Sequence, residues 1–201
     1  MEVKKYESKY KNEWNEFLSR SKNSTFLFNR EFIEYHKDRF TDNSLLVFNE
    51  SKIVGLMPCS SIGKQLISHG GLTYGGLLIE KEIKLLDYIQ IFYEVLKYLH
   101  KAGFENLLYK SLPTIYCEMM SEEQSYVLFL LGAENVRTDT STAIDYKQQI
   151  KFQTRKKRAI KKANKLNLEI KKEDSFDAFW NEVLSPNLVE KFNKKPVHSL
   201  E

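Results

Sequence analysis

Material for disulfides, structural zinc and membrane spans is scarce in this sequence. Only two cysteines, Cys59 and Cys117, occur in 201 residues. They cannot build a disulfide framework, and no paired Cys/His spacing suggests zinc, so no metal is expected. Eight glycines and four prolines exclude collagen-like and low-complexity classes. The longest apolar run, Tyr126 to Leu131, is far shorter than the ~20 residues that cross a bilayer, so no membrane insertion is expected. The opening Met1-Glu-Val-Lys-Lys-Tyr6 lacks the apolar stretch of a signal peptide. A cytoplasmic protein is the expectation.

What is present suits a packed domain: 42% hydrophobic and 13% aromatic residues can fill a core, and 29% charged residues can cover it. The net charge of +4 conceals an uneven distribution. Residues 151–172 hold ten Lys/Arg against one acid, Glu169, so this segment is +9 and the remainder is −5. The basic character belongs to one segment and not to the whole chain.

Periodicity supplies the organisation. Glu2–Tyr6 alternates weakly as a first strand. Tyr10, Trp14, Phe17 and Leu18 share one helical face, and Asn29 caps a second helix whose Phe32, Ile33, His36 and Phe40 share another. Ser44–Asn49 and Lys52–Ser60 read as a hairpin joined by Glu50-Ser51. Leu66–His69 and Leu77–Ile79 are strand pieces around a glycine-rich centre. Residues 83–102 predict a long helix with Ile83, Leu86, Ile89, Tyr93, Leu96 and Leu99 inward and Gly103 at its end. Asn106–Lys110 returns as a strand, Ser121 caps another helix, and residues 134–146 read as extended. Residues 1–149 thus form a first α/β domain.

From residue 150 the pattern changes. Thr154 caps a helix from Arg155 to Leu166, Leu168–Ile170 alternates as a strand, and Asp174-Ser175 caps a helix carrying Phe176, Phe179, Trp180, Val183 and Leu184. So few elements exclude too little surface from water to bury their own apolar faces. Residues 150–201 therefore read as the incomplete start of a second domain. Their apolar stripes predict that they fold back on the first domain, pair with a second copy as a homo-dimer, or stay mobile.

Two segments invite a functional reading. His69-Gly-Gly-Leu-Thr-Tyr-Gly-Gly76 holds four of the eight glycines, which permit close approach of a backbone or a ligand. His69, Gly70, Gly71, Thr73, Tyr74, Gly75 and Gly76 are the candidate substrate-binding residues. A kinked strand with packing glycines explains the same residues, and the spacing matches no phosphate loop. In the basic helix, Arg155, Lys156, Arg158 and Lys162 are candidates for phosphate or nucleic-acid contact, with RNA as the partner. The alternative there is a solvated amphipathic face. Cys59, Cys117, His36 and His100 all read as structural. No spacing singles out an acid, base or nucleophile, so the catalytic residue is unknown.

Taken in order, several segments resemble the FemAB-like, GNAT-related N-acyltransferases, whose long members carry two GNAT-like domains in tandem. They are Trp14-Asn-Glu-Phe17, Asn23-Ser-Thr-Phe26, Lys52-Ile-Val-Gly-Leu-Met-Pro58, Ser68–Gly76, Lys110-Ser-Leu-Pro-Thr-Ile-Tyr116, and Arg155–Ala163 followed by Leu168-Glu-Ile170. The resemblance implies a GNAT-like, mixed, mostly antiparallel sheet flanked by helices, followed by part of a second such domain. It implies transfer of an acyl or aminoacyl group from acyl-CoA or aminoacyl-tRNA to an amine, either a small molecule or a cell-envelope precursor. The first domain would shape the acceptor site. In such domains a glycine-containing loop leads into the central helix; here Glu80 and Glu82 stand in the corresponding approach, where they would repel a pyrophosphate. No cofactor is therefore expected on this chain, and this chain alone is expected to be inactive. A non-catalytic GNAT-fold binding or scaffold module is the alternative.

Overall fold

The computed structural model describes residues 1–147 and 151–200. It divides into two compact units, Met1–Ala143 and Ile144–Glu201. The 149/150 boundary read from the sequence falls outside the described residues.

The first unit is mixed α/β (α+β), with mostly antiparallel sheets flanked by helices. Strands β1 (Glu2–Lys5), β2 (Thr41–Asp42), β3 (Leu45–Asn49), β4 (Lys52–Met57), β5 (Ser60–Ile62), β6 (Gln65–Ile67), β7 (Leu78–Ile79) and β8 (Asn106–Leu108) make two four-stranded sheets. One has the order β1-β3-β4-β7, antiparallel throughout. The other has the order β2-β5-β6-β8, in which only β6 and β8 run parallel. The expected hairpin is β3–β4. Its register slips after Val47↔Gly55 to Phe48↔Ile53, which leaves Val54 as the extra residue of a bulge.

Leu45, Leu46, Val47 and Phe48 are all buried, because β3 is covered on both faces. Leu46 and Phe48 pack with Trp14, Phe17 and Leu18 of α1 (Lys11–Arg20) and with Phe28 and Ile33, the latter from α2 (Arg30–Tyr35). Leu45 and Val47 pack with Tyr88, Ile91, Phe92, Val95 and Leu99 of α3 (Leu85–Lys101). Alternation along the strand thus serves two helical layers at once.

The buried stripe of α3 corrects the expected one. Of the residues read as inward, Leu99 is buried, while Leu86 is 78% and Tyr93 56% exposed. The helix is apolar on several sides, so two stripes at helical spacing compete, and packing against β3 selects the one through Tyr88 and Phe92. Helix α4 (Glu123–Leu130) starts from Glu122 and not Ser121, whose hydroxyl bonds Glu123 instead. Residues 134–146 form no strand, and neither do Leu168–Ile170. Among the described residues neither segment pairs its backbone with another, and a strand needs such a partner for its N–H and C=O groups.

The second unit contains α5 (Thr154–Asn164), a π-helical stretch Phe179–Leu184 and α6 (Ser185–Phe192). No described residue of this unit is buried.

Candidate functional site

The glycine-rich segment is tied to the end of β8. Ser68 N–H donates to the Leu108 carbonyl (3.0 Å), the Lys110 N–H donates to Ser68 Oγ (2.7 Å), and Gly75 N–H donates to the Lys110 carbonyl (3.0 Å). Lys110 Nζ reaches back to the carbonyl oxygens of His69 (3.1 Å) and Leu72. One residue therefore clips the loop from its backbone and its side chain alike. Burial, followed by the charge of Arg137, lowers the Lys110 ammonium from its ordinary range.

The chain's own atoms occupy the space the glycines leave. A Cβ on Gly75 would collide with the Ser68 carbonyl. Gly76, at φ +99°, lies where a Cβ would come within 2.6 Å of the Tyr109 hydroxyl, which accepts the Leu77 N–H (2.9 Å). Gly71 faces the Phe40 ring in the same way, at 2.5 Å. The close approach these glycines permit is approach by neighbouring backbone and rings.

The segment's polar side chains go to different places. His69 is buried beside Phe40, and its Nδ1 accepts the Gly71 N–H (3.2 Å), so the neutral ring carries its proton on Nε2. Burial depresses its pKa to about 4; the Asp42 carboxylate works against that shift, and Lys110 and Arg30 add to it. Thr73 is exposed. Tyr74 is buried between Phe28 and Tyr116, with its hydroxyl 3.4 Å from Thr25 Oγ1.

Thr25 opens the site that sequence reasoning missed. It belongs to a cleft of about 340 Å³ lined by Asn15, Leu18, Ser19, Ser24, Thr25, Phe26 and Asn29. The end of α1 forms one wall and the 3-10 turn Phe26–Phe28 the other. No lining residue carries a charge. The Asn23-Ser-Thr-Phe26 segment of the family resemblance was the available signal, but nothing in its spacing marks a binding surface.

Other candidates resolve as structural. Asn23 Nδ2 donates to the Leu77 carbonyl (2.9 Å), and its Oδ1 accepts the Ile79 N–H (3.0 Å). Glu80, read as a repulsive charge, is paired with Arg20 (2.7 Å) and Lys52 (2.9 Å), so it presents no free carboxylate; Glu82 remains exposed. Cys59 is buried, and burial pushes its thiol well above the ordinary range; burial also raises Cys117. Neither is a poised thiolate. Among the described residues no group of His, Cys, Asp and Glu could hold a metal ion, and no helix is long and apolar enough to cross a membrane. On α5, Arg155, Lys156, Arg158 and Lys162 are exposed, and none forms an ion pair among the described residues.

No family model and no curated protein matches the chain. Among solved structures, a similar chain is the apo aminoglycoside antibiotic 6'-N-acetyltransferase AAC(6')-IG from Acinetobacter haemolyticus. It is 9% identical over 75% of this chain and 100% of its own, with a TM-score of 0.38.

Proposed function

We propose that this chain is the N-terminal part of a FemAB/GNAT-like N-acyltransferase, with the first unit shaping the site for an amine acceptor. The carrying observation is the meeting of Tyr74, from the glycine-rich segment, with Thr25, from Asn23–Phe26, at the margin of an uncharged cleft. Two segments of the family resemblance, 49 residues apart, thus meet on one surface. Thr73, Tyr74 and the cleft hydroxyls would orient the acceptor. Donor chemistry, from acyl-CoA or aminoacyl-tRNA, belongs to residues outside this unit. Titration with small primary amines, followed by amide chemical shifts, tests the reading. Shifts at Ser24, Thr25 and Thr73 are expected, and shifts confined to other surfaces contradict it. Calorimetry with acetyl-CoA should give no micromolar affinity, and finding one overturns the division of labour.

The second reading is a non-catalytic binding module that contacts RNA through α5. It is favoured by the exposed, unpaired cations of that helix. Each phosphate neutralised releases counterions, so such binding falls steeply with salt. Reversing Arg158 and Lys162 to Glu should abolish binding to a generic RNA at ~0.1 M salt; unchanged binding would remove α5 from the interface.

A further inference from the structure

We infer that residues 151–172 dock on the surface of a bilayer that carries anionic lipid, with α5 lying in the membrane plane, its cations among the headgroups and its apolar stripe toward the acyl chains. The inference goes beyond the acceptor reading and does not rest on it. It sets a lipid surface against RNA as the partner of α5.

Three observations carry it. The first is how the charge is arranged. At about 100° per residue, Lys157, Arg158, Lys161 and Lys165 centre one side of α5 and the turn that ends it, and Ala159, Ile160, Ala163 and Leu166 fall on the other. Lys156 alone interrupts the apolar stripe, and a lysine stem is long enough to carry its ammonium back to the headgroups. A basic amphipathic helix of this kind suits a membrane interface. The second observation is exposed apolar bulk among the cations. Ile160 and Leu166 are 46% and 62% exposed, and past the helix Leu168 and Ile170 are 69% and 99% exposed. An RNA backbone would leave these side chains wet, whereas an acyl layer covers them. Phe152 is the one aromatic residue of the segment, too little for a base-stacking platform.

The third observation is charge complementarity, which selects the occupant. Of the segment's ten cations, only Lys171 is paired among the described residues, with Glu169 (3.2 Å). A second copy would bring another +9 and be repelled. In the first unit the carboxylates of Glu34, Asp42, Glu80 and Glu123 are already paired with that unit's own cations. A leaflet of anionic lipid supplies negative charge and apolar cover together. The segment rests on the membrane and does not span it, since no described helix is long and apolar enough to cross one.

The probes are vesicles of phosphatidylcholine alone and of phosphatidylcholine with ~30% phosphatidylglycerol. At ~0.1 M salt the whole chain should sediment with the mixed vesicles and stay in solution with the neutral ones. Leu168→Ser/Ile170→Ser leaves every charge in place and should weaken that binding about tenfold; Arg158→Glu/Lys162→Glu should abolish it. These side chains are exposed, so the far-ultraviolet circular dichroism of each variant in solution should match the parent's. In Ile170→Trp the added indole emission should move to shorter wavelength on the mixed vesicles and be quenched by brominated acyl chains. The inference falls if the chain ignores the mixed vesicles or binds both kinds equally. It also falls if the serine variant binds as the parent does, or if the added indole stays unshifted. Binding to a generic RNA with none to the mixed vesicles removes it too and leaves α5 to the RNA reading. None of these outcomes touches the acceptor reading, which its own amine titration decides.

Discussion

His69 is held as a neutral imidazole in a buried site, and this has a thermodynamic consequence. Its folded pKa of about 4 lies below the ordinary 6.5, so between those values the unfolded chain binds a proton that the folded chain does not. Its contribution is therefore fully present above about pH 6.5 and is lost as pH falls toward 4. Over that window the first unit should lose on the order of 3 kcal/mol. Urea unfolding at pH 4.5 and 7 measures it, and His69→Asn should flatten the acid side; an equally steep profile in the variant would assign the loss elsewhere. Gly75 is constrained differently. Because a Cβ there meets the Ser68 carbonyl, Gly75→Ala should cost about 3 kcal/mol. Gly63→Ala, which meets nothing but has φ +56°, should cost about 1 kcal/mol. Comparing their denaturation midpoints separates collision from conformational strain. The glycine count in this segment was legible in the sequence; the occupants of the space the glycines leave were not.

Among the elements, α2 depends on one residue. Arg30 is fully buried, pairs with Asp42 and Glu34 (3.4 Å), donates to Ser44 Oγ, and lies 3.5 Å from the centre of the Tyr6 ring. Burial alone would raise the Asp42 carboxyl, but Arg30 and the Ser44 hydrogen bonds outweigh it and hold the pKa below the ordinary range. Removing one partner leaves an uncompensated charge, so Arg30→Met should destabilise the first unit by about 3–5 kcal/mol. In Arg30→Met/Asp42→Asn, which removes both charges, part of that loss should return. A double variant no better than the single one would show that ring packing, and not charge, is what Arg30 supplies. Helix α1 was readable because Trp14, Phe17 and Leu18 make a single apolar stripe. On α3 the surplus of apolar residues hid the buried face, and Arg30 gave no sequence sign of burial because Asp42, its partner besides the helix neighbour Glu34, lies in another element.

At the scale of the whole molecule the two units differ in what they bury. The first has a core on both faces of β3, while no described residue of the second is buried. Helix α5 has 11 residues, and helices shorter than ~12–15 residues are marginal without packing. Hydrogen exchange should therefore be at least a hundredfold faster in α5 than at Phe92 and Val95 of α3. Equal protection would mean that something covers α5 in solution. The +9 of residues 151–172 should make any self-association salt-dependent, since like charges repel over roughly 10 Å at 0.1 M; sedimentation at low and high salt measures it.

The sequence by itself determined the class of the protein. Periodicity placed α1, the β3–β4 hairpin, the central helix and α5, because a repeat of 2 or 3.6 residues is a local property that chain chemistry writes directly. Charge clustering marked residues 151–172 for the same reason. Tertiary structure alone decided which face of α3 is buried, that Glu80 is neutralised by Arg20 and Lys52, and that Tyr74 meets Thr25 beside an uncharged cleft. Each of these depends on partners about 30 to 60 residues away. Pairings over such distances are settled by packing and desolvation of the whole first unit, and no local pattern encodes them.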